Sequence, residues 1–382
     1  MIYKVPDVGQ EETNAIEKIA ELRRQLRYYV ATEPRRWFGS VRRVLAARAI
    51  QGSNSIEGFN VSVEDAVAAV EGGEPTEASW TDWHAVNGYR RAMTYVLQLA
   101  HDEHFEYSPS LIRSLHFMMT EYSQEASPGL WRPGPIWVRN DSTGEVVYEG
   151  PEAEVVPTLV EELTVQLAAD LDIDPMIRAA MAHLNLVMIH PFRDGNGRIS
   201  RCLQTLVLAR GQILAAEWCS IEEYLGRNTD AYYKILSSVG RRSWAPEHDA
   251  RPWIQFCLEA HYVQAASVLR RVRESERMWI EIERLAQRHH LPERAIPALF
   301  DATIGLRVRN SSYRASLRDW DDISNQVATT DLRAMVRAGL LRRLGVKRGT
   351  YYEAASPLVE LRKQVREGRQ SIDVSSLFMA EA

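Results

Sequence analysis

Cysteine is scarce. Cys202, Cys219 and Cys257 are the three in 382 residues, an odd number with no CxxC pair. This excludes a disulfide framework and a zinc-finger ligand set. It suits a reducing compartment in which each thiol is a small buried hydrophobe. No apolar run reaches the roughly 18 residues of a membrane-spanning helix, so no membrane association is expected. The N-terminus MIYKVPDVGQEETN lacks a basic stretch followed by an apolar one, so no signal peptide is expected and the expected location is the cytoplasm. No GxxxxGK(S/T) string occurs, which excludes a P-loop. Excess positive charge is also missing: the formal net charge is −5, so any nucleic-acid contact must be local. There is no internal repeat and no low-complexity stretch. What remains is globular in character. Hydrophobic residues make up 45% and charged residues 25%, with ten Trp and fifteen Tyr, and the length suits two or three domains.

Helical periodicity dominates. Ile16, Ile19, Leu22 and Leu26 fall at spacings of three and four within 11–30, an amphipathic helix. The pattern repeats over 36–50, and GSNSIEGFN (52–60) then interrupts it. Ser62 followed by Asp65 predicts an N-cap for a helix over 62–70. Further helices are predicted over 79–102, 108–123, 152–170 and 174–190, with another starting near Gly197. WVRNDSTGEVVYEG (137–150) departs from this period: two short β-prone arms around DSTG predict a hairpin. Beyond about residue 290 the order is polar helix, turn, second helix and a β-prone pair around GVKRGT. That order suits a winged helix-turn-helix. Residues 301–352 hold ten Lys and Arg against five Asp and Glu, a locally basic segment in an acidic chain.

The densest chemistry lies in IHPFRDGNGRISR (189–201). His190 closes an apolar helix and has the pKa class of a general base near neutral pH. Pro191 stops the helix. Asp194 offers a carboxylate to Mg²⁺. Gly195 and Gly197 flank Asn196, where backbone N–H groups can converge on an anion, and the next helix adds its N-terminal amides. Arg198 and Arg201 share one helix face, and guanidinium forks match phosphates. A base, a metal carboxylate, an anion nest and two arginines within twelve residues describe phosphoryl or nucleotidyl transfer. A zinc reading of His183, His190 and Asp194 is poorer, because a spacing of seven is not HExxH.

HPFRDGNGRISR resembles the signature of Fic proteins, HxFx(D/E)GNGRxxR, at every fixed position. The resemblance implies a mainly α fold: a helical Fic core with a β-hairpin flap, followed by a winged helix-turn-helix. It implies AMP transfer from ATP to a Ser, Thr or Tyr hydroxyl of a protein, which could be this chain itself. His190 would deprotonate the hydroxyl and Asp194 would hold Mg²⁺. Gly195, Asn196 and Gly197 would cradle phosphates, Arg198 and Arg201 would contact the β- and γ-phosphates, and Phe192 would anchor the loop. The arm Ile136, Trp137, Val138 and Arg139 falls where the family has the flap that clamps its target by strand addition. SIEEYLGRNTDAYYKIL (220–236) resembles the segment after the signature, with Tyr224, Asn228 and Tyr232 closing the adenine side and Tyr233 beside them. Helix packing is the alternative for Tyr232 and Tyr233.

SNSIEG (53–58) alone reads as a helix running out with Gly58 at C′. Beside the signature it resembles the family's inhibitory motif (S/T)xxxE(G/N), through Ser53, Glu57 and Gly58. A Glu57 carboxylate paired with Arg201 would occupy the γ-phosphate's place. The expected organisation is an N-terminal helical region with the inhibitory helix (1–105), a Fic core (106–260), and a linker helix with the winged helix (261–382). Asn325, Gln326, Thr329, Thr330 and Arg333 would face outward from its second helix, with Arg342, Arg343, Lys347 and Arg348 around the wing. Those cations suit DNA backbone contact or, more simply, a docking domain with solvated charges. Fic proteins often form homodimers. Two other readings stand beside AMP transfer: removal of AMP, or transfer of another phosphate-containing group, on the same machinery; and a DNA-binding regulator with a vestigial core, against which the intact signature argues.

Overall fold

A computed structural model places residues 1–31, 37–75, 77–139, 143–169, 172–211, 216–318, 321–346 and 349–380. The elements in order are α1 (Gln10–Ala31), α2 (Phe38–Ile56), α3 (Val63–Glu71), α4 (Trp80–Leu99), α5 (Pro109–Thr120), β1 (Trp137–Arg139), β2 (Val146–Glu149), α6 (Val156–Ala169), α7 (Pro175–Ile189), α8 (Asn196–Arg210), α9 (Ala216–Cys219), α10 (Glu222–Arg227), α11 (Thr229–Gly240), α12 (Arg251–Arg288), α13 (Ile296–Ile304), α14 (Asn310–Leu317), α15 (Asn325–Arg337), β3 (Leu341–Leu344), β4 (Tyr351–Ala354) and α16 (Ser356–Arg366). The fold is mainly helical, with two antiparallel hairpins among the described residues. The chain divides into two units, Met1–Arg27 with Val44–Ala266 and Asp373–Ala382, and Tyr28–Arg43 with Ser267–Ile372.

In the first unit, α8 packs against α4, α5 and α7, and the α7–α8 pair forms its centre. α7 is apolar nearly all round and correspondingly buried at every position from Met176 to Ile189 except Val187. Asp174 caps its start by accepting from the Met176 N–H, with Pro175 at the first helical position. α3 begins as its sequence predicts: the Ser62 hydroxyl accepts from the Asp65 N–H at 3.0 Å. The β1–β2 hairpin pairs Trp137 with Glu149 and Val138 with Tyr148, then shifts register before Arg139. The Tyr148 hydroxyl donates to the Met188 carbonyl, tying the hairpin to the end of α7. Asp141 and Ser142 of the predicted turn lie outside the described residues.

One expectation is corrected. The interruption read over 52–60 begins later, because α2 continues through Ile56. Gly52, Ser53 and Asn54 are weak helix formers, but all three are buried, and tertiary packing overrides propensity. The helix ends in a two-bond cap: Gly58 N–H donates to Ser55 O and Phe59 N–H to Asn54 O, with Gly58 at φ +81°. This is the left-handed C′ position that favours glycine.

The second unit carries α13, α14 and α15 and then the β3–β4 hairpin, registered from Leu341 opposite Ala354 to Leu344 opposite Tyr351. Asp331, buried on α15, accepts from Arg294 and from the Tyr313 hydroxyl, which locks the three-helix arrangement. Asn325, Gln326, Thr330 and Arg333 are exposed on α15, and Thr329 is half-buried. Arg342 and Arg343 are exposed on β3, while Lys347 and Arg348 lie outside the described residues.

Candidate functional site

The sequence brings α7 to an end at Ile189 and restarts helix at Asn196, so six residues must turn the chain between two buried helices. His190 makes that possible by adopting φ +51°, a left-handed conformation uncommon for a side-chain-bearing residue. Its N–H still bonds to Leu186 O, and its Nδ1 lies 3.0 Å from Val187 O. With the Nδ1 proton spent on that carbonyl, Nε2 is left as the acceptor. Burial pushes the His190 pKa below the ordinary 6.5, against the opposing influence of the Val187 carbonyl and Glu57, so the ring is neutral at pH 7.

The loop is held from inside and below. Asn196 is 2% exposed, and its side chain accepts from the Phe192 N–H and donates to the Phe192 carbonyl. Its amide therefore closes the loop rather than facing a ligand. Phe192 is buried and lies flat on His116, with ring centroids 3.7 Å apart. His116 Nε2 lies 2.9 Å from Asp194 O, and Nδ1 accepts from the Gly129 N–H. Burial pushes the His116 pKa down to about 4, so this ring is a neutral strut. Arg132 adds a second strut. Its guanidinium donates to the carbonyls of His190, Gly134 and Pro151, and its backbone N–H to Pro191 O. Sequence reasoning missed both. The one local signal for Arg132 is its place in GLWRPG, just ahead of the hairpin.

Gly195 caps α8 at φ +78°, leaving the first amides of the helix without intrahelical partners. Arg198 and Arg201 project from the first turns, and both are essentially fully buried. Arg201 Nε donates to Ser53 Oγ at 2.8 Å, and Nη2 donates to Ser53 O at 2.8 Å and to Glu57 Oε1 at 2.7 Å. Burial disfavours both charges of this pair, but mutual attraction wins. Glu57 is held below the ordinary carboxylate range and Arg201 above its own ordinary value. A Cβ on Gly197 would lie 2.1 Å from Glu57 Oε1, so the carboxylate fills the hollow that the missing side chain leaves. Arg198 has only long contacts, 3.4 Å to the Tyr122 hydroxyl and 3.4 Å to Asp194 Oδ2.

Asp194 is half-exposed. One of its oxygens accepts from the Gly195 N–H and the other is the distant partner of Arg198. A hard oxygen donor open to solvent beside the Arg198 guanidinium suits a magnesium ion, which needs one or two carboxylates and takes the rest from phosphate and water.

The expected adenine-side residues lie at different depths. Tyr232 is 1% exposed and sits behind Arg201, with its hydroxyl 2.9 Å from His183 Nε2 and 3.5 Å from Arg201 Nη1. His183 is held on its other side by Gln204 and pushed to about 3 by burial, so it is a neutral part of this network. The Tyr224 hydroxyl donates to Glu259, and the Asn228 amide to Tyr224 O. The Tyr233 hydroxyl donates to Ile56 O at the end of α2. On the hairpin, Trp137 is exposed with its Nε1 donating to Glu149, Val138 is half-buried, and Arg139 donates to Gly144 O. Ile136 O accepts from the Gly150 N–H at the hairpin's base.

The Fic/DOC family profile matches residues 106–208. Protein adenylyltransferase fic-1 of Caenorhabditis elegans is 32% identical over 160 residues, covering 41% of this chain and 30% of that protein. A Fic family protein from Desulfovibrio desulfuricans G20 shares the fold, with a TM-score of 0.58 at 20% identity over 93% of this chain and 99% of that one. A fragment of C. elegans Fic-1 aligns with a TM-score of 0.53 at 22% identity, over 68% of this chain and 71% of that one. The chain spans about 30% of the length of the curated relatives it matches over similar regions. No described helix is long and apolar enough to cross a membrane. It is residues 106–208, which carry the signature loop and both struts beneath it, that match the Fic/DOC family.

Proposed function

We propose that the protein transfers AMP from ATP to a hydroxyl of a protein, and that the end of α2 inhibits this reaction from within. The observation that carries the proposal is the convergence on α8: buried Arg198 and Arg201, the open amides after Gly195, and the neutral His190 ring held at the preceding turn. The printed names of the curated relatives, protein adenylyltransferases, support it.

In the proposed reaction the target hydroxyl oxygen bonds to the α-phosphorus and the bond to the bridging oxygen of the β-phosphate breaks, so pyrophosphate leaves. The hydroxyl proton passes to His190 Nε2. Arg198 and Arg201 hold the β- and γ-phosphates and absorb the charge that develops on the leaving group. Magnesium held by Asp194 supplies further neutralisation of phosphate charge when bound. The exposed edge of β1 receives an extended target segment by backbone pairing. With Glu57 on Arg201, the γ-phosphate lacks its place and the α-phosphate cannot line up with the hydroxyl. Residues 290–366 form a winged helix in this reading. We favour protein docking for it, because Arg342 and Arg307 already face Glu353.

The test is intact mass of the Glu57→Gly chain after incubation with each nucleoside triphosphate and Mg²⁺. A gain of one AMP mass, abolished by His190→Ala, is expected with ATP. No gain from any nucleotide, in the presence of cell lysate as a source of targets, would sink the proposal.

A further inference from the structure

The residue after the inhibitory glutamate and its glycine is Phe59, which the reading above does not use. Its ring lies over the Arg198 guanidinium, with Cζ 4.8 Å from the ring centroid, inside the range of a cation–π contact. We propose that Phe59 is a second latch. Glu57 withholds Arg201 and the Phe59 ring withholds Arg198, so three consecutive residues occupy both phosphate arginines at rest. This rests on reading the site as nucleotide-binding.

Three observations carry it. First, Arg198 is unusually short of partners for a buried guanidinium. Its Nε has no hydrogen bond, and its two polar contacts are both 3.4 Å long. Buried donors are seldom left this way. The ring face over this guanidinium supplies the compensation that its sparse hydrogen bonds do not.

Second, the backbone aims the ring. The cap that ends α2 places Gly58 at the left-handed position and draws the Phe59 N–H back to Asn54 O. In this kind of cap the residue after the glycine usually packs its apolar side chain on the last turn of its own helix. Here that turn offers Ser53 and Asn54. Ser53 is engaged by Arg201, and the Asn54 amide bonds to Ile50 O. With no apolar side chain at those two positions, the ring lies on the guanidinium instead.

Third, the two latches share one short hinge. Glu57 and Phe59 are separated by Gly58 alone, whose added Cβ would meet nothing within 4 Å. A movement of this turn that frees one arginine therefore frees the other, and a phosphate-bearing ligand must displace both contacts together.

The test is calorimetric titration of the full chain with Mg·ADP and Mg·ATP, using Glu57→Gly as the parent. Adding Phe59→Ala to that parent should tighten both nucleotides by roughly two- to thirtyfold, the span from a solvated to a desolvated cation–π contact, since Arg198 is buried and Phe59 half-buried. Phe59→Tyr keeps the ring and should match the parent. Unchanged or weaker binding in Phe59→Ala overturns the proposal, as does a Phe59→Tyr chain that binds as tightly as the alanine one. AMP incorporation measured on the same samples separates the two readings. Tighter nucleotide binding without transfer removes the transferase reading and leaves the second latch standing. Transfer with no response to Phe59→Ala does the reverse.

Discussion

Gly52→Ala is the substitution that asks most of the structure. Gly52 lies on α2 just before Ser53, where α2 meets α10. A Cβ there would lie 2.5 Å from Glu222 O and 3.0 Å from Glu223 Cα. From the other side, a Cβ on Gly226 would lie 2.6 Å from Gly52 Cα. Carbon and oxygen settle at about 3.3 Å, so the two helices must part by roughly 0.8 Å. Shifts of this kind cost about 1–3 kcal/mol, and the helix preference of alanine returns about 1 kcal/mol at most. The melting temperature should therefore fall by a few degrees. The same displacement draws Ser53 and Glu57 away from Arg201, whose three bonds to them are now 2.7–2.8 Å. Stretched to roughly 3.5 Å, they lie beyond ordinary hydrogen-bond length and are weakened. A charge-assisted bond contributes about 1.5–3 kcal/mol, so losing half of that raises the share of molecules with an available Arg201 by roughly three- to tenfold. The assay pairs a thermal melt with AMP incorporation by intact mass. A lowered melt with no rise in labelling would refute the reasoning, because the end of α2 would then not move as one body.

Three further outcomes are expected. In a Glu57→Gly background, His190→Ala should abolish transfer while changing the calorimetric affinity for Mg·ATP less than twofold; with His190 intact, the rate should rise with pH through a midpoint below 6.5 and level off by neutrality, because burial favours the neutral ring. A midpoint above 6.5 would exclude His190 as the base. Arg132→Ala removes donors from three carbonyls and should lower both the melting temperature and kcat with little change in KM; Arg132→Lys should fail to rescue, since one ammonium does not reproduce the spread of a guanidinium. Glu57→Gly leaves Arg201 without its anion and should cost roughly 3 kcal/mol without nucleotide, a deficit that saturating Mg·ATP should recover in a thermal melt; equal melting of the two chains without nucleotide would contradict the pairing.

What could be read from the sequence was local. The twelve residues from His190 to Arg201 carry their chemistry at fixed spacing, and the helix–loop–helix that displays them follows from an apolar run, a proline and two glycines. Ser53 and Glu57 were legible only by likeness to a motif, since nothing in their own neighbourhood points 144 residues ahead to Arg201. His116 and Arg132 were invisible for the same reason. Each acts on backbone carbonyls of a distant loop, and a carbonyl leaves no mark in a sequence. Gly52 and Gly226 did leave one, because a glycine within a helical pattern often marks a close approach. Low helix propensity over 52–55 instead suggested a break, where burial of that turn in fact keeps α2 helical to Ile56.

The electrostatics explain why the end of α2, which we propose to be inhibitory, meets α8 through an ion pair. Arg198 and Arg201 are buried one turn apart, and a buried guanidinium without an anion is costly. Their neighbours supply little negative charge. His116 and His183 are neutral, and burial pushes Glu222 up to about 7, so it carries at most part of a charge near neutrality. Asp194 is half-exposed, and the guanidinium it faces, at 3.4 Å, is that of Arg198. Glu57 is therefore what allows Arg201 to remain buried at rest, and the Phe59 ring does the corresponding service for Arg198. A triphosphate that enters replaces one anion with another rather than filling an empty site. In the proposed reading its net gain over the resting state is then small at the γ-phosphate, so one carboxylate and one ring at the end of α2 suffice as a restraint. The same reasoning places control of the site in whatever moves α2 against α10, since a shift there of under an ångström alters both contacts at once.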